Sequence, residues 1–444
     1  MEDVNLHFTG DAHAVTASHN LLSAFLDNHL FHGNGLRIAS DRITWPRVMG
    51  VSDRALREVR IGSLKRSERQ SSFVITEASE VMAILALALN HEDLRRRLGR
   101  IIIGFTGDGQ PVTTEDLRCA GAMAALLRDA MHPNLVQTLE GTPALVHTGP
   151  FGNIAHGNCS IVSDAIALYC GEYVITEAGF GSDLGAEKFF NIKCRVSGYR
   201  PAAAVIVVTL RALKLHGGGG VMKAGASAPQ GLTGPNLEAL IKGLSNLEQH
   251  IANVRAHGTP AVVAINSFTT DSTDELTYVQ SWALRAGAAA AAISTHWAEG
   301  GKGAEELARA VLFACSQPSS YHALYPDSAG IKEKIETIAR RMYGATGVTY
   351  DEKAEMQIDV ASRIGLDRFP ICMAKTPLSL SHDPLLKGRP TGFTLPIKEV
   401  RILAGAGFLT AVCSGIELMP GLPKHPAGEH IDLDVQTGQI TGLA

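Results

Sequence analysis

Short apolar runs that end in Gly, Asn or Thr recur along these 444 residues, and a longer amphipathic segment follows them. RIIIGFTGDGQ (100–110), ALVHTG (144–149), YVITEAG (173–179), AAVIVVTLRA (203–212) and PAVVAINSF (260–268) read as buried strands, because β-branched side chains suit a pleated surface. DLRCAGAMAALLRDAM (116–131), NLEALIKGLSNLEQHIANVRAHG (236–258) and KGAEELARAVLFACSQ (302–317) read as helices, the second closed by a Gly C-cap. Strands alternating with helices predict an α/β fold with parallel sheets flanked by helices, and ligands in such sheets bind at the carboxyl ends of the strands. The length predicts a multi-domain chain with about two or three cores.

Composition narrows the function classes. With 45% hydrophobic, 19% charged and 6% aromatic residues, the chain resembles ordinary globular α/β proteins. A formal charge of -4 gives no electrostatic reason to expect nucleic acid as a partner. Cys119, Cys159, Cys170, Cys194, Cys315, Cys372 and Cys413 form no CxxC pair and are odd in number, which suits free thiols in a reducing compartment. MEDVNLHFTGD has acids where a signal peptide would carry lysines, and LRAGAAAAAIS (284–294) is too short to span a bilayer. The expectation is a cytoplasmic protein with no membrane partner.

Four constellations carry chemistry. HFTGDAHAVTASHNLL (7–22) opens a run of five histidines, His7, His13, His19, His29 and His32; His29 and His32 share a helical spacing, but no third metal ligand is evident, so capping and hydrogen bonding is the favoured reading. Asp11 follows Gly10 and precedes an Ala-rich helix, so it is either a helix N-cap or a catalytic carboxylate. In YVITEAGFGSDLGAEKFF (173–190) a strand delivers Glu177 to a Gly-rich loop that leads to Asp183; this is either a phosphate-binding turn with a Mg2+-holding carboxylate or a tight turn with an N-cap. VVTLRALKLHGGGG (207–220) brings Arg211, Lys214 and His216 to a mobile Gly loop, suited to an anionic substrate group or only to solvent. Phe268 and Trp297 both lie just past apolar segments, where aromatics either stack on flat ligands or fill a core. No GxxxxGK[ST] occurs in these residues, so they hold no self-contained P-loop signature.

MEDVNLHFTGDAHA, RITWPRVM, PNLVQTLEGTPALVHTGPFGNIAHG, TEAGFGSDLGAEKFFNIKCR, VTLRALKLHGG, RPTGFTLPIKEVRILAGAGF and MPGLPK together resemble the formate-tetrahydrofolate ligase family, also called formyltetrahydrofolate synthetases, from residue 1 to residue 444. The resemblance implies a cytoplasmic homotetramer of one-carbon metabolism. ATP, with Mg2+, would phosphorylate formate, and N10 of tetrahydrofolate would attack the formyl phosphate to give 10-formyltetrahydrofolate; a monovalent cation is a further candidate. It implies a sheet related to P-loop nucleotide-binding folds. By motif, Asp11 becomes the active-site aspartate, with His7 a second catalytic candidate. Phe268 and Trp297 become the pair that sandwiches the pterin, and Arg211, Lys214, Glu177 and Asp183 become candidates for binding the nucleotide and its phosphates. The implied domains are a helix-rich 1–118 carrying HFTGD, the remainder of the nucleotide-binding α/β domain at 119–248, and a folate-binding α/β domain at 249–444.

Two departures bear on activity. The family pattern places its phosphate loop upstream of the residue that aligns with Met1, so the expectation is a truncated chain, inactive alone, or one completed by another polypeptide. Where the family usually reads REDGFDITVASE, this chain has RQSSFVITEASE (69–80), with Gln70, Ser71 and Val74 in place of three acids. The alternative reading is a non-catalytic paralogue that binds folate or forms oligomers.

Overall fold

A computed structural model describes residues 10–62, 68–222 and 228–443. Helix α1 (Asp11–Phe31) forms because Val15, Ser18, Leu22 and Leu26 recur at helical spacing and bury one face; it ends where Gly33 takes a φ of +112°. Strand β1 (Ile38–Ile43) is followed by α2 (Glu80–Leu87), all eight of whose residues are buried, and by α3 (His91–Gly99). Ser79 caps α2 by accepting from the Val81 amide, and Asn90 caps α3 by accepting from the Asp93 amide at 2.9 Å. Strand β2 (Ile102–Thr106) pairs antiparallel with both β1 and β3 (Pro111–Thr113). These elements share one core, which also takes in Phe408 from far along the chain.

Strands β4 (Asn134–Gln137) and β5 (Pro143–Val146) form an antiparallel hairpin, and α4 (Ile161–Cys170) follows. The next unit is the expected α/β alternation: β6 (Ala204–Val208), α5 (Leu210–His216), α6 (Leu237–Arg255), β7 (Ala261–Asn266), α7 (Thr273–Arg285), β8 (Ala290–Ser294) and α8 (Glu305–Cys315). Its sheet runs β6-β7-β8, all parallel, with Val205 opposite Val262 and Val262 opposite Ala290. The three strands are parallel because a helix carries the chain back across the sheet each time. A third core gathers α9 (Ile331–Ile338), β9 (Gly347–Tyr350), α10 (Glu352–Arg363), β10 (Ile371–Ala374), β11 (Thr394–Leu403) and β12 (Phe408–Cys413). Its sheet, β9-β11-β12-β10, is mixed: only the β11–β12 pair, joined by a short turn, is antiparallel.

Two expectations are corrected. YVITEAG is not a buried strand. Residues 173–177 belong to no strand, the bridge nearby joins Ala178 to Asn158, and Ile175 is 88% exposed. Its β-branched residues favour extended backbone, but no described strand lies alongside to complete a ladder. LRALKLH is not the end of a strand but helix α5, started by the Thr209 hydroxyl accepting from the Ala212 amide at 3.1 Å. Among the described residues no helix is long and apolar enough to cross a membrane.

Candidate active site

Asp11 is the first residue of α1, and the N-cap is Gly10, whose φ of 80° suits only a residue without a Cβ. Of the two readings of Asp11, helix N-cap or catalytic carboxylate, the structure gives the cap to Gly10: Asp11 turns inward and is 1% exposed. Its Oδ1 accepts from the Ala12 amide at 2.9 Å and its Oδ2 from the Thr148 amide. Thr148 sits at φ +59°, a region a β-branched residue rarely enters, and its buried hydroxyl has no partner. Strain held at a buried carboxylate is the pattern of a functional centre. The neighbouring His147 is pinned at both ring nitrogens, to the Ser160 hydroxyl at 2.7 Å and the Ala130 carbonyl at 2.6 Å. Burial lowers its pKa, against the pull of the Ala130 carbonyl and Asp11. His7 lies outside the described residues.

The loops on either side of α4 cross almost backbone to backbone. A Cβ on Gly152 would lie 2.7 Å from the Gly179 carbonyl oxygen, and the Gly179 amide donates to the Gly157 carbonyl at 2.8 Å; Gly157 itself, at φ +68°, has no room for a Cβ, which would lie 2.3 Å from Gly152 Cα. Glu177 ends the unpaired segment and is exposed. Asp183 is buried beside Lys375, whose ammonium lies 2.7 Å from its carboxylate. Burial, the largest influence, would raise the Asp183 pKa, but Lys375, His250 and a backbone hydrogen bond together outweigh it and hold the carboxyl below its ordinary range. The two carboxylates expected at one phosphate turn therefore differ in kind: Glu177 faces solvent, and Asp183 is already paired.

The carboxyl ends of β6, β7 and β8 bring three of the expected residues to one edge. Arg211 begins α5 after β6, Phe268 follows β7, and Trp297 follows β8. The Arg211 guanidinium lies 4.0 Å over the Phe268 ring and donates to the Thr270 hydroxyl at 3.3 Å. Phe268 is fixed from its backbone, its amide donating to Asp271 Oδ2 at 2.9 Å. Trp297 is 70% exposed, which an indole with no ligand-binding or interface role would rarely be. Arg211 Nε, Asn266 Oδ1 and Asp271 Oδ1 are buried here without hydrogen-bond partners, so the edge offers unused donors and acceptors.

Lys214 and His216 do not join that edge. Lys214 is 1% exposed, and its ammonium is held by Glu275 at 2.7 Å and the Gly234 carbonyl at 2.8 Å. His216 Nδ1 accepts from the Gly388 amide at 3.0 Å, and burial lowers its pKa to about 4, so it carries no charge at neutral pH. The basic cluster expected on a mobile loop is one cation at the edge and two interior contacts. Part of that Gly-rich loop, 223–227, lies outside the described residues.

Asn266, Asp271 and Thr148 were not singled out in the sequence. Asn266 carried a usable signal, as the polar residue ending a buried run; the φ of Thr148 had none. Among the described residues no three His, Cys, Asp or Glu side chains converge as metal ligands. A cavity of 1120 Å3 opens elsewhere, between the first and third cores, lined in part by His19, Trp45, Glu80 and Arg401. None of the expected site residues among those described borders it.

The family described as formate--tetrahydrofolate ligase matches residues 1–444. The chain is 55% identical over 447 residues to formate--tetrahydrofolate ligase from Saccharopolyspora erythraea, covering 100% of this chain and 79% of that protein. It is 54% identical over 455 residues to formate--tetrahydrofolate ligase 3 from Rubrobacter xylanophilus, with coverage of 100% and 79%. It is 51% identical over 446 residues to the Desulforamulus reducens enzyme of the same name, with coverage of 100% and 78%. A match along every residue, at identities this high, makes the chain a member of the formate--tetrahydrofolate ligase family.

Proposed function

We propose that this chain works in the ATP-dependent ligation of formate to tetrahydrofolate, giving 10-formyltetrahydrofolate through formyl phosphate. The observation that carries the reading is the strand-end edge, where Arg211, Phe268 and exposed Trp297 stand among unpartnered polar atoms. A flat pterin needs an aromatic face and a few fixed hydrogen bonds, and this edge supplies both. Formate oxygen would attack the terminal phosphorus of ATP and release ADP. The folate amine would then attack the formyl carbon, phosphate would leave, and the nitrogen would lose a proton. Asp11, already held by the Thr148 amide, is the carboxylate we assign to that amine. Mg2+ would arrive with the nucleotide, and a monovalent cation would serve the same anionic intermediate. Residues 249–444 are read as the folate-binding part, 119–248 as belonging to the nucleotide domain, and 1–118 as the carrier of Asp11 and His7. The unpaired thiols suit the cytoplasm, and the family suits a homotetramer.

With no GxxxxGK[ST] signature in these residues, the 444 residues alone are expected not to release ADP in response to formate and tetrahydrofolate. The experiment therefore separates two steps. Tetrahydrofolate titrated against tryptophan emission should quench Trp297, and Trp297→Phe should remove that quench. Formyl phosphate supplied directly should transfer its formyl group to tetrahydrofolate. Asp11→Asn should slow that transfer about 100-fold or more while leaving tetrahydrofolate affinity within about twofold. Absence of binding by the parent chain at high micromolar folate would sink the reading.

A second reading, a folate-binding paralogue without ligation, rests on one observation. Val74, at a position where the family usually has an acid, is 4% exposed in a short strand beside Val48. It expects the same tetrahydrofolate binding with no formyl transfer.

A further inference from the structure

We infer that Glu140, at the tip of the β4–β5 hairpin, is a positioning residue that ties the loop bearing Trp297 to the strand that holds Asp11. The inference rests on the folate reading above. Asn134 pairs with Val146 and Gln137 with Pro143, and the turn is closed by the Thr138 amide on the Thr142 carbonyl at 2.9 Å and the Thr142 amide on the Thr138 hydroxyl at 3.0 Å. Two residues past the hairpin's base at Val146 comes Thr148, whose amide donates to Asp11. At its tip the Glu140 carboxylate accepts from the Gly301 amide at 2.6 Å, 161 residues away in sequence.

That amide belongs to the turn immediately after the short helix His296–Glu299. Gly300 reverses the chain there at φ 61° and ψ -146°, a conformation essentially confined to glycine. A Cβ on Gly301 would lie 2.1 Å from Glu140 Oε2, so the carboxylate approaches only because the position is bare. Leu139 beside it projects fully into solvent, so the tip has no apolar anchor of its own there, and the carboxylate-amide bond is what docks it. The hairpin thus touches the candidate catalytic carboxylate at one end and the candidate stacking aromatic's loop at the other. Glu140 acts by holding the exposed indole where a flat ligand meets it, without touching that ligand.

Glu140 is exposed, so substitutions there do not threaten folding. Glu140→Ala should weaken tetrahydrofolate binding, followed by Trp297 quenching, about five- to tenfold, the range of one charge-assisted hydrogen bond at an exposed site. Glu140→Gln keeps an acceptor and should stay within about twofold. Gly301→Ala should reproduce the Glu140→Ala loss by forcing the carboxylate away. In the Glu140→Ala background the added methyl meets open space, so the double variant should bind no more weakly than either single one. In formyl transfer from formyl phosphate the loss should fall on KM for tetrahydrofolate and spare kcat. Amide exchange at Gly301 should be slow in the parent and fast in Glu140→Ala. If the parent binds tetrahydrofolate and Glu140→Ala binds equally well, or if the two losses multiply in the double variant, the inference is overturned. If the parent does not bind, the folate reading fails instead, and unchanged Gly301 exchange in Glu140→Ala would overturn the contact independently.

Discussion

Arg211 and Lys214 stand one helical turn apart on α5 and have opposite fates. Leu210, Leu213 and Lys214 share the buried face, and Arg211 points to the strand-end edge. The lysine reaches an interior carboxylate and a carbonyl, so removing it strands Glu275 in the interior without a counter-charge. Lys214→Ala should cost about 3–5 kcal/mol in urea denaturation, and replacing both partners with Met and Leu should recover most of that. Arg211→Ala, which loses only a cation over one ring, should cost about 1 kcal/mol or less yet weaken tetrahydrofolate binding. Equal stability losses for Arg211→Ala and Lys214→Ala would contradict this division. The signal that separates them was present in VTLRALKLHGG: Lys214 follows Leu210 and Leu213 at the i+4 and i+1 positions of an amphipathic stripe. A strand reading of the segment hides that signal, because a period of two puts different residues on one face.

At the scale of elements, legibility followed how locally each element is determined. Strands β6 and β7 were readable because their side chains are apolar on both faces; β7 is buried as such a strand should be, whereas β6 leaves Val205 and Val207 exposed, so the expectation of a buried strand holds there for one face only. YVITEAG shares their β-branched residues yet forms no ladder beyond the single Ala178–Asn158 bridge, since pairing depends on a neighbour that no local pattern encodes. Equally hidden was the crossing of the two glycine loops around α4, where the spacing of Gly152, Gly157, Gly179 and Gly185 looks like ordinary turn usage. The crossing sets the path from Thr148 to the Ser160 cap of α4, and through it the grip on Asp11. Gly157→Ala has neither the space nor the backbone freedom it needs, so it should cost about 2–4 kcal/mol. Formyl transfer should fall with it, because Thr148 moves off Asp11. A urea midpoint unchanged from the parent would show that the loops yield more easily than their spacing implies.

Across the whole molecule, buried titratable groups shape the dependence of stability on pH. Burial lowers His19 and His156 to about 3 and His216 and His257 to about 4, from an ordinary 6.5. Burial raises Glu80 to about 8 and Glu187 to about 7, from 4.5. For Glu80 the Gly405 and Ala406 amides and Arg401 pull the other way without prevailing. Below pH 6.5 the unfolded chain takes up protons on these histidines that the folded chain refuses, so stability falls as pH falls. The two glutamates act oppositely: from pH 4.5 upward the unfolded chain releases protons that the folded chain keeps, so their contribution declines until pH passes 7 and 8. Between 4.5 and 6.5 four histidines outweigh two glutamates; above 6.5 the glutamates set the slope until Lys334, which burial lowers to about 8 from 10.5, begins to oppose them near pH 8. Stability should therefore peak near pH 6.5 and decline toward 8, each unmatched proton contributing at most about 1.4 kcal/mol per pH unit. Glu80→Gln retains an acceptor for the Gly405 amide and cannot ionise, so its urea midpoint should fall less steeply than the parent's between pH 6.5 and 8. A parent profile that climbs steadily to pH 8, or an unchanged slope in Glu80→Gln, would mean that Glu80 is ionised in the folded chain and held by its two amides.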